Sequence, residues 1–379
     1  MNNEFADRRY RVCLISTSPI LSKLLLGMKP DFMGGAEVQQ TLIVEMLKDI
    51  GCEVSALVHD FGQQDEVVTP EGLRLIKAYR PGGKWKWLLK PWKYPMWLAI
   101  KRADANLYYQ RATGTMTGVL AMLCRRFGRP FVHATSIDLD LDGTKESRLN
   151  PMKRMVYRHG IRHAEMIVVQ TDQQNSDLKR RFGREGFIIR NTFSIPEHEP
   201  SPGRSAVLWV GSFRDHKHPE MFLQVARRLP DVQFLMVGGA YHSHPQLFDG
   251  IMKQSESVPN IELTGLVPYD EVGTHFDRAA LFVCTSEMEG FPNTFLQSWS
   301  RGIPVISTVD PDGLIQRYDL GRFCESLDDV VEAVRHLSSD SQARDDIGSR
   351  AREYVRLNHH PDAVKARYRE LIETAMGQR

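Results

Sequence analysis

Glu289 opens the run E-G-F-P-N-T-F-L-Q, in which a carboxylate precedes a glycine and a proline and the carboxamide of Gln297 closes the run. The apolar segment A-L-F-V-C-T-S before it reads as a strand, so the acid stands where a strand gives way to a helix. Gly290 lets the backbone approach a ligand closely. Pro292 suits a first helical turn, where a missing N–H costs nothing. The unpaired amides of that turn attract an anion such as a phosphate. Gln297 lies too far along the helix for the same phosphate and suits vicinal hydroxyls, such as those of a ribose. An unliganded strand–turn–helix, with Glu289 merely capping the helix, fits the spacing equally well.

A second cluster is V-L-W-V-G-S-F-R-D-H-K-H-P-E. A strand ending at Gly211 leads to Arg214 and Lys217, just before a helix that starts near Pro219. Two cations beside a helix start suit a diphosphate, and a solvated basic loop is the competing reading. The third is G-G-A-E, with Gly34 and Gly35 in a loop between the first strand and the first helix. Paired glycines let amides approach phosphate or sugar, while a plain capping turn fits as well. The dinucleotide fingerprint GxGxxG is not present there. The run D-L-D-L-D, Asp138 to Asp142, puts alternate carboxylates on one face if it is a strand, where they could hold Mg²⁺. As an exposed loop it would instead touch an acceptor molecule.

These residues need elements to hold them. At 379 residues the chain is too long for one ordinary core, so two domains are expected. Short apolar strands (R-V-C-L-I-S-T, E-V-S-A-L-V, N-L-Y-Y-Q, R-P-F-V-H-A-T, M-I-V-V-Q-T) alternate with helix-period segments, a rhythm that gives a parallel sheet covered on both faces. The polar segment 197–205 reads as a linker. A second set follows: A-V-L-W-V-G, V-Q-F-L-M-V-G-G, I-E-L-T-G, L-F-V-C-T-S and I-P-V-I-S-T. The expectation is an α/β chain with two Rossmann-like domains, 1–195 and 196–360, then a tail of two helices punctuated by Pro361. Ligands of such sheets bind at the C-terminal ends of the strands, so facing strand ends would form a cleft.

Composition narrows the class. The net charge of +2 provides no global field for nucleic acid, and 42% hydrophobic with 25% charged residues is a globular balance. The five cysteines are scattered without a CxxC pair, which argues against a zinc site or disulfide framework and suits a reducing cytosol. R-R-Y-R before V-C-L-I-S imitates a signal peptide, but Pro19 and Lys23 interrupt it, so a buried first strand from Arg11 to Thr17 is preferred. No apolar run is long enough to span a membrane.

One segment is unlike the rest: Lys84, Trp85, Lys86, Trp87, Lys90, Trp92, Lys93 and Trp97 crowd together, four of the six tryptophans of the chain. Indoles favour the water–lipid interface and lysines meet anionic headgroups there, which suits docking to a lipid-linked acceptor. Packing of the indoles on the first domain, or stacking of carbohydrate on them, are the other readings.

Taken in order, G-G-A-E, the interdomain R-N-T-F around Asn191, V-G-S-F-R-D-H-K, T-G-L-V-P and E-G-F-P-N-T-F-L-Q-S-W-S-R-G-I-P-V-I-S-T resemble the motifs of glycosyltransferase family 4 over nearly the whole chain. The resemblance implies the GT-B fold, with the C-terminal helix 361–379 crossing back to the first domain. It implies retaining transfer of a sugar from a nucleotide diphosphate sugar to a glycan or lipid-linked acceptor, with no protein-bound metal and no cofactor. Lys217 would bind the diphosphate and Glu289 would face the donor sugar. Amides of Gly290, Phe291, Pro292–Asn293 and Thr294 would support sugar and distal phosphate, and the turn Gly265, Leu266, Val267 would meet the base. Gly34 and Gly35 would join the donor site.

Three positions depart from the family pattern. Gln297 stands where the family has a ribose-binding glutamate. Ser212 stands where it has an arginine, leaving Arg214 as the substitute. Ser136 takes the place of a first-domain histidine, which makes Asp138 the nearer candidate for the donor hydroxyls and leaves His133 a mid-strand core residue. A cytoplasmic enzyme with peripheral contact on the inner face of the membrane follows. The competing classes are an inactive nucleotide-sugar-binding subunit and a nucleotide-sugar epimerase on the same fold.

Overall fold

The computed structural model describes residues 10–28, 34–79, 95–112, 114–197, 203–240 and 245–377. The chain divides into two compact units, the first formed by Met1–Thr192 with Pro361–Arg379 and the second by Phe193–His360.

In the first unit the strands are β1 Arg11–Ile15, β2 Glu53–His59, β3 Glu66–Val68, β4 Arg74–Tyr79, β5 Leu107–Arg111, β6 Phe131–Ala134, β7 Met166–Val169 and β8 Phe187–Ile188. They form one sheet in the order β3-β4-β2-β1-β5-β6-β7-β8. The pairings are parallel except at the edge, where β3 runs antiparallel to β4. That hairpin corrects the all-parallel expectation. The central strands are buried on both faces, which is why they read as continuous apolar runs rather than alternating ones. The final helix Pro361–Gly377 adds Val364, Tyr368, Leu371 and Ile372 to the same core that holds Val12 and Leu14 of β1.

Two further corrections concern the first loop. A short helix Pro19–Leu25, capped by Ser18, stands between β1 and the G-G-A-E run. Gly34 is the cap of the next helix and Gly35 its first residue, so Gly35, Ala36 and Glu37 are helical rather than looped. Glu37 accepts a hydrogen bond of 2.7 Å from the Ser18 hydroxyl, which ties the two helix starts together.

The second unit has strands β9 Ala206–Val210, β10 Phe234–Val237, β11 Ile261–Gly265, β12 Ala279–Cys284, β13 Val305–Ser307 and β14 Gly321–Phe323. Their order is β11-β10-β9-β12-β13-β14, and every pairing is parallel. The strand order reverses at β9 and β12, so the loops leaving these two strands share the crevice where such sheets bind ligands. Trp299, fully buried, donates its indole N–H to the Leu320 carbonyl at 3.0 Å and anchors the helix Asn293–Trp299 on the sheet. Burial of a side chain of this size contributes about 2–3 kcal/mol. The chain comes so close to itself at the ends of β9 and β10 that a Cβ on Gly238 would stand 1.8 Å from the Gly211 carbonyl oxygen, at a φ of +154°. Only glycine fits there.

The residues Lys84, Trp85, Lys86, Trp87 and Trp92 lie outside the described residues. Trp97 is within them, on the helix Pro95–Ala103, its ring 4.4 Å from that of Phe127. No helix among the described residues is long and apolar enough to cross a membrane.

Candidate functional site

In the second unit the loops leaving β9 and β12 meet. After Val210 the chain forms a three-residue turn, Asp215–Lys217, and enters the helix Pro219–Arg228 with Pro219 in its first turn. His218 between them holds a left-handed φ of 45°, a conformation that costs a non-glycine residue energy and needs support from its surroundings. Two carboxylates provide it: the His218 Nδ1 lies 2.9 Å from Glu220 and its Nε2 lies 3.7 Å from Glu287.

Lys217, from this turn, forms an ion pair with Glu289 Oε1. The Ser286 hydroxyl donates to the same oxygen at 2.7 Å. The side chains of Lys217 and Glu289 are 24% and 15% exposed, so the pair is largely shielded yet reachable. His216 completes the cluster. Its pKa is lowered, first by burial and then by the Lys217 charge, with Glu289 pulling the other way. The imidazole is therefore neutral near pH 7 and adds no charge to a site already holding Lys217 and Arg214.

Sequence pattern suggested a helix-capping role for Glu289 as one reading. The structure corrects it: the cap position is Pro292, with no side-chain cap bond, and Glu289 turns to Lys217 and Ser286 instead. Pro292 itself stands just before the helix rather than in its first turn. Gly290 is buried, and Asn293 and Thr294 form the half-buried helix start. The Phe291 ring faces the core, 4.9 Å from His359 and 6.3 Å from Trp299, so only its backbone is presented to the crevice side. Gln297 is 6% exposed and lies within hydrogen-bonding reach of the hydroxyl of the half-buried Tyr269. Gly265 ends β11 with a φ of +74° and its carbonyl accepts from Gly238. Leu266 is 60% exposed beside it, whereas Val267 packs on the core. Ser212 and Arg214 stand half-buried in the β9 loop.

In the first unit, the D-L-D-L-D run is not a strand. Asp138–Asp140 form a single 3-10 turn, which separates the carboxylates that a strand would align. Asp140 is 1% exposed and accepts from the amide and hydroxyl of Ser136, at 2.8 and 3.1 Å, and from Lys145 at 2.8 Å. Burial alone would raise its pKa, but Lys145 and the Ser136 hydrogen bonds hold it below the ordinary carboxylate value. Asp142 accepts from the Thr144 amide at 2.7 Å. Asp138 accepts from the Gln174 carboxamide at 2.9 Å. Each carboxylate thus has its own protein donor, and no metal-holding cluster occurs among the described residues. The hydroxyl of Ser136 is committed to Asp140. His133 is fully buried on β6, and burial pushes its pKa down to about 4. Asn191 accepts from the Arg111 guanidinium at 2.7 Å.

The structure therefore brings Lys217, Glu289 and the Gly290–Thr294 loop together in one unit and sets Asp138 and Ser136 side by side in the other. The sequence reading passed over Ser286, Thr285, Trp209 and His216. Only Ser286 left a signal, a hydroxyl three residues before the carboxylate it serves.

Comparison with known proteins bears on the family and the fold. Residues 191–354 match the family described as glycosyl transferases group 1, and residues 34–189 match the glycosyl transferase 4-like domain. The chain is 21% identical over 253 residues to a D-inositol 3-phosphate glycosyltransferase of Mycobacterium bovis, covering 57% of this chain and 52% of that protein. It spans about half the length of the curated relatives it matches. Among solved structures, sucrose-phosphate synthase from Thermosynechococcus elongatus superposes with a TM-score of 0.80 at 17% identity, over 98% of this chain and 100% of that one. HepE of Anabaena, solved with UDP and glucose, superposes with a TM-score of 0.74 at 14% identity, over 97% and 100% of the two chains.

Proposed function

The chain belongs to the group 1 glycosyltransferases and has their GT-B fold, and from that premise we propose that it transfers a sugar, with retention, from a nucleotide diphosphate sugar to a glycan or lipid-linked acceptor. The observation that carries the reading is the Lys217–Glu289–Ser286 cluster at the C-terminal edge of the second unit's parallel sheet. A cation there neutralises a diphosphate leaving group, and electrostatic preorganisation of this kind is the largest single contribution to many transfer reactions. When diphosphate takes Lys217, Glu289 is released towards the sugar hydroxyls while Ser286 still holds it. Backbone N–H groups of Gly290, Phe291, Asn293 and Thr294 support the distal phosphate, with Pro292, which has no N–H, fixing the turn between them. Arg214 supplies the second charge that Ser212 lacks. Gln297, hydrogen-bonded beside Tyr269, offers its carboxamide to the ribose. The leaving phosphate takes the acceptor proton, so no metal and no protein base are required.

In the same proposal, Asp138 orients hydroxyls from the first unit, and the Lys84–Trp92 segment meets an anionic membrane that carries the acceptor. HepE, a structural neighbour, was solved with UDP and glucose, which supports UDP as the first nucleotide to test.

A thermal-shift screen of UDP, GDP and their sugars tests the reading, since a ligand selective for the folded state raises its stability by mass action. UDP or GDP is expected to raise the melting temperature, equally with and without EDTA, and Lys217→Ala is expected to abolish the shift. A nucleotide shift that survives Lys217→Ala would place the diphosphate elsewhere. Loss of the shift in EDTA, restored by Mg²⁺, would overturn the metal-free mechanism.

A further inference from the structure

The ion pair of the second unit is flanked by two neutral residues, Thr285 and Ser286, at the end of β12. We propose that this dipeptide is the positioning element that sets Lys217 against Glu289, with Trp209 as its anchor; the inference rests on the donor-site reading above. Trp209 and Thr285 are 2% and 1% exposed. The Trp209 indole N–H donates to Thr285 Oγ1 at 3.0 Å. That bond occupies the oxygen as acceptor and directs the one hydroxyl proton outward, to the Lys217 carbonyl at 2.7 Å. The backbone of Lys217 is thereby fixed to the neighbouring strand, while its long side chain stays able to swing from Glu289 to an incoming anion.

Ser286 does the complementary task. Its hydroxyl donates to the same Glu289 oxygen that Lys217 contacts, so the carboxylate keeps one partner when the lysine leaves. Ser286 is itself tied down, because the Thr308 hydroxyl donates to its carbonyl at 2.7 Å and the Thr308 amide to Cys284 at 3.1 Å. A further bond, from the Glu287 amide to the His216 carbonyl at 2.8 Å, closes the seam between the two loops. The turn 214–218 and the loop 285–289 are therefore one stapled body, and Thr285 is the staple nearest the lysine.

The test uses the full chain, with Thr285→Val, Thr285→Ser and Trp209→Phe. Valine keeps the shape of threonine and removes the hydroxyl; serine restores it. Hydrogen–deuterium exchange in the ligand-free proteins is expected to quicken about tenfold at residues 214–218 in Thr285→Val, to stay within about twofold of the parent in Thr285→Ser, and to leave the strands of the first unit unchanged. Affinity for UDP, or for GDP if the parent prefers it, is expected to fall about tenfold in Thr285→Val and to recover in Thr285→Ser. Trp209→Phe, which frees the hydroxyl to rotate, is expected to lie between them. Unchanged exchange at 214–218 in Thr285→Val overturns the proposal. So does faster exchange spread evenly over both units, which is simple destabilisation. If the parent binds neither UDP nor GDP, the donor-site reading falls, and the exchange experiment alone still decides whether Thr285 positions Lys217.

Discussion

Each unit carries a carboxylate just beyond the C-terminal end of a parallel strand, and the two are held by opposite means. Glu289 is held by a cation from another loop, Lys217, and by the Ser286 hydroxyl. Asp138 is held by the carboxamide of Gln174, whose own oxygen accepts from the Thr135 hydroxyl at 2.6 Å and the Gln170 amide at 2.9 Å. An ionic hold weakens as soon as a competing anion arrives, because the lysine is shared. A hold made by a neutral carboxamide, itself fixed by buried partners, responds less to ligand charge. In the first unit the nearby Lys145 is paired with Asp140, a residue with no surface to offer. The difference leaves Glu289 with a hold that depends on a mobile cation and Asp138 with one that does not.

The sharpest way to break this comparison is to remove both acids separately. Glu289→Ala is expected to lower turnover of the donor found by the nucleotide screen by about 10²–10³-fold, with UDP affinity within a few-fold of the parent. Asp138→Asn is expected to cost about tenfold in turnover and to leave UDP affinity unaltered, since an amide retains one acceptor for Gln174. Steady-state kinetics beside calorimetric titration of UDP separates the outcomes. Equal losses in both assays for Glu289→Ala would reduce it to a nucleotide anchor, and a UDP defect in Asp138→Asn would remove the contrast between the units.

How much of this was legible in the chain follows the same divide. Charged residues advertise themselves: Lys217 and Glu289 each follow an apolar strand and precede a helix, so their meeting across 72 residues follows from the sheet alone. The βα rhythm gave the strands that carry them. Neutral positioning residues do not advertise themselves. Thr285 matters through partners 68 and 76 residues away, and nothing local distinguishes it from any threonine at a strand end. Gln174 is silent for the same reason, being one polar residue in a helix whose first turn happens to face Asp138. The aspartate run left strand and loop open because alternation alone cannot separate them; Asp140 decides it by folding back to accept from Ser136, which terminates extended structure after β6. The edge strand β3 is three residues long with two exposed positions, too short to leave a period.

A smaller effect separates charges that serve chemistry from charges that serve the fold. Asp140→Asn is expected to destabilise the protein by about 2–3 kcal/mol at pH 7, because it removes the partner of Lys145 and weakens the hydrogen bonds from Ser136. Glu289→Ala, at a partly exposed pair, is expected to change stability by about 0–1 kcal/mol. Urea unfolding measures both. Asp140 is depressed below the unfolded carboxylate value of about 3.9, so its contribution is present above that pH and disappears as pH falls through the lower, folded value. The gap between parent and Asp140→Asn should therefore close on acidification below about pH 4. A gap that is constant with pH would mean that Asp140 acts through shape rather than charge.

The effect that vanishes at neutral pH belongs to His133, and it probes the neutral character of the first unit's site directly. Burial pushes this histidine down to about 4, with Asp140 raising and Lys145 lowering it. From pH 6.5 down to 4 the unfolded chain binds a proton that the folded chain refuses, so stability is full above 6.5 and declines as pH drops through that window. His59, also pushed to about 4 by burial, contributes a parallel decline. Stability normalised to pH 7.5 should therefore fall less steeply in His133→Gln than in the parent, by at most about 1.4 kcal/mol per pH unit, with part of the remaining slope owed to His59 and to the lowered His159, His216 and His275. An unaltered slope would mean that His133 already titrates with its ordinary value. The strand leading to Asp138 would then gain charge within the working range, and the hold on that carboxylate would be as responsive as the one on Glu289.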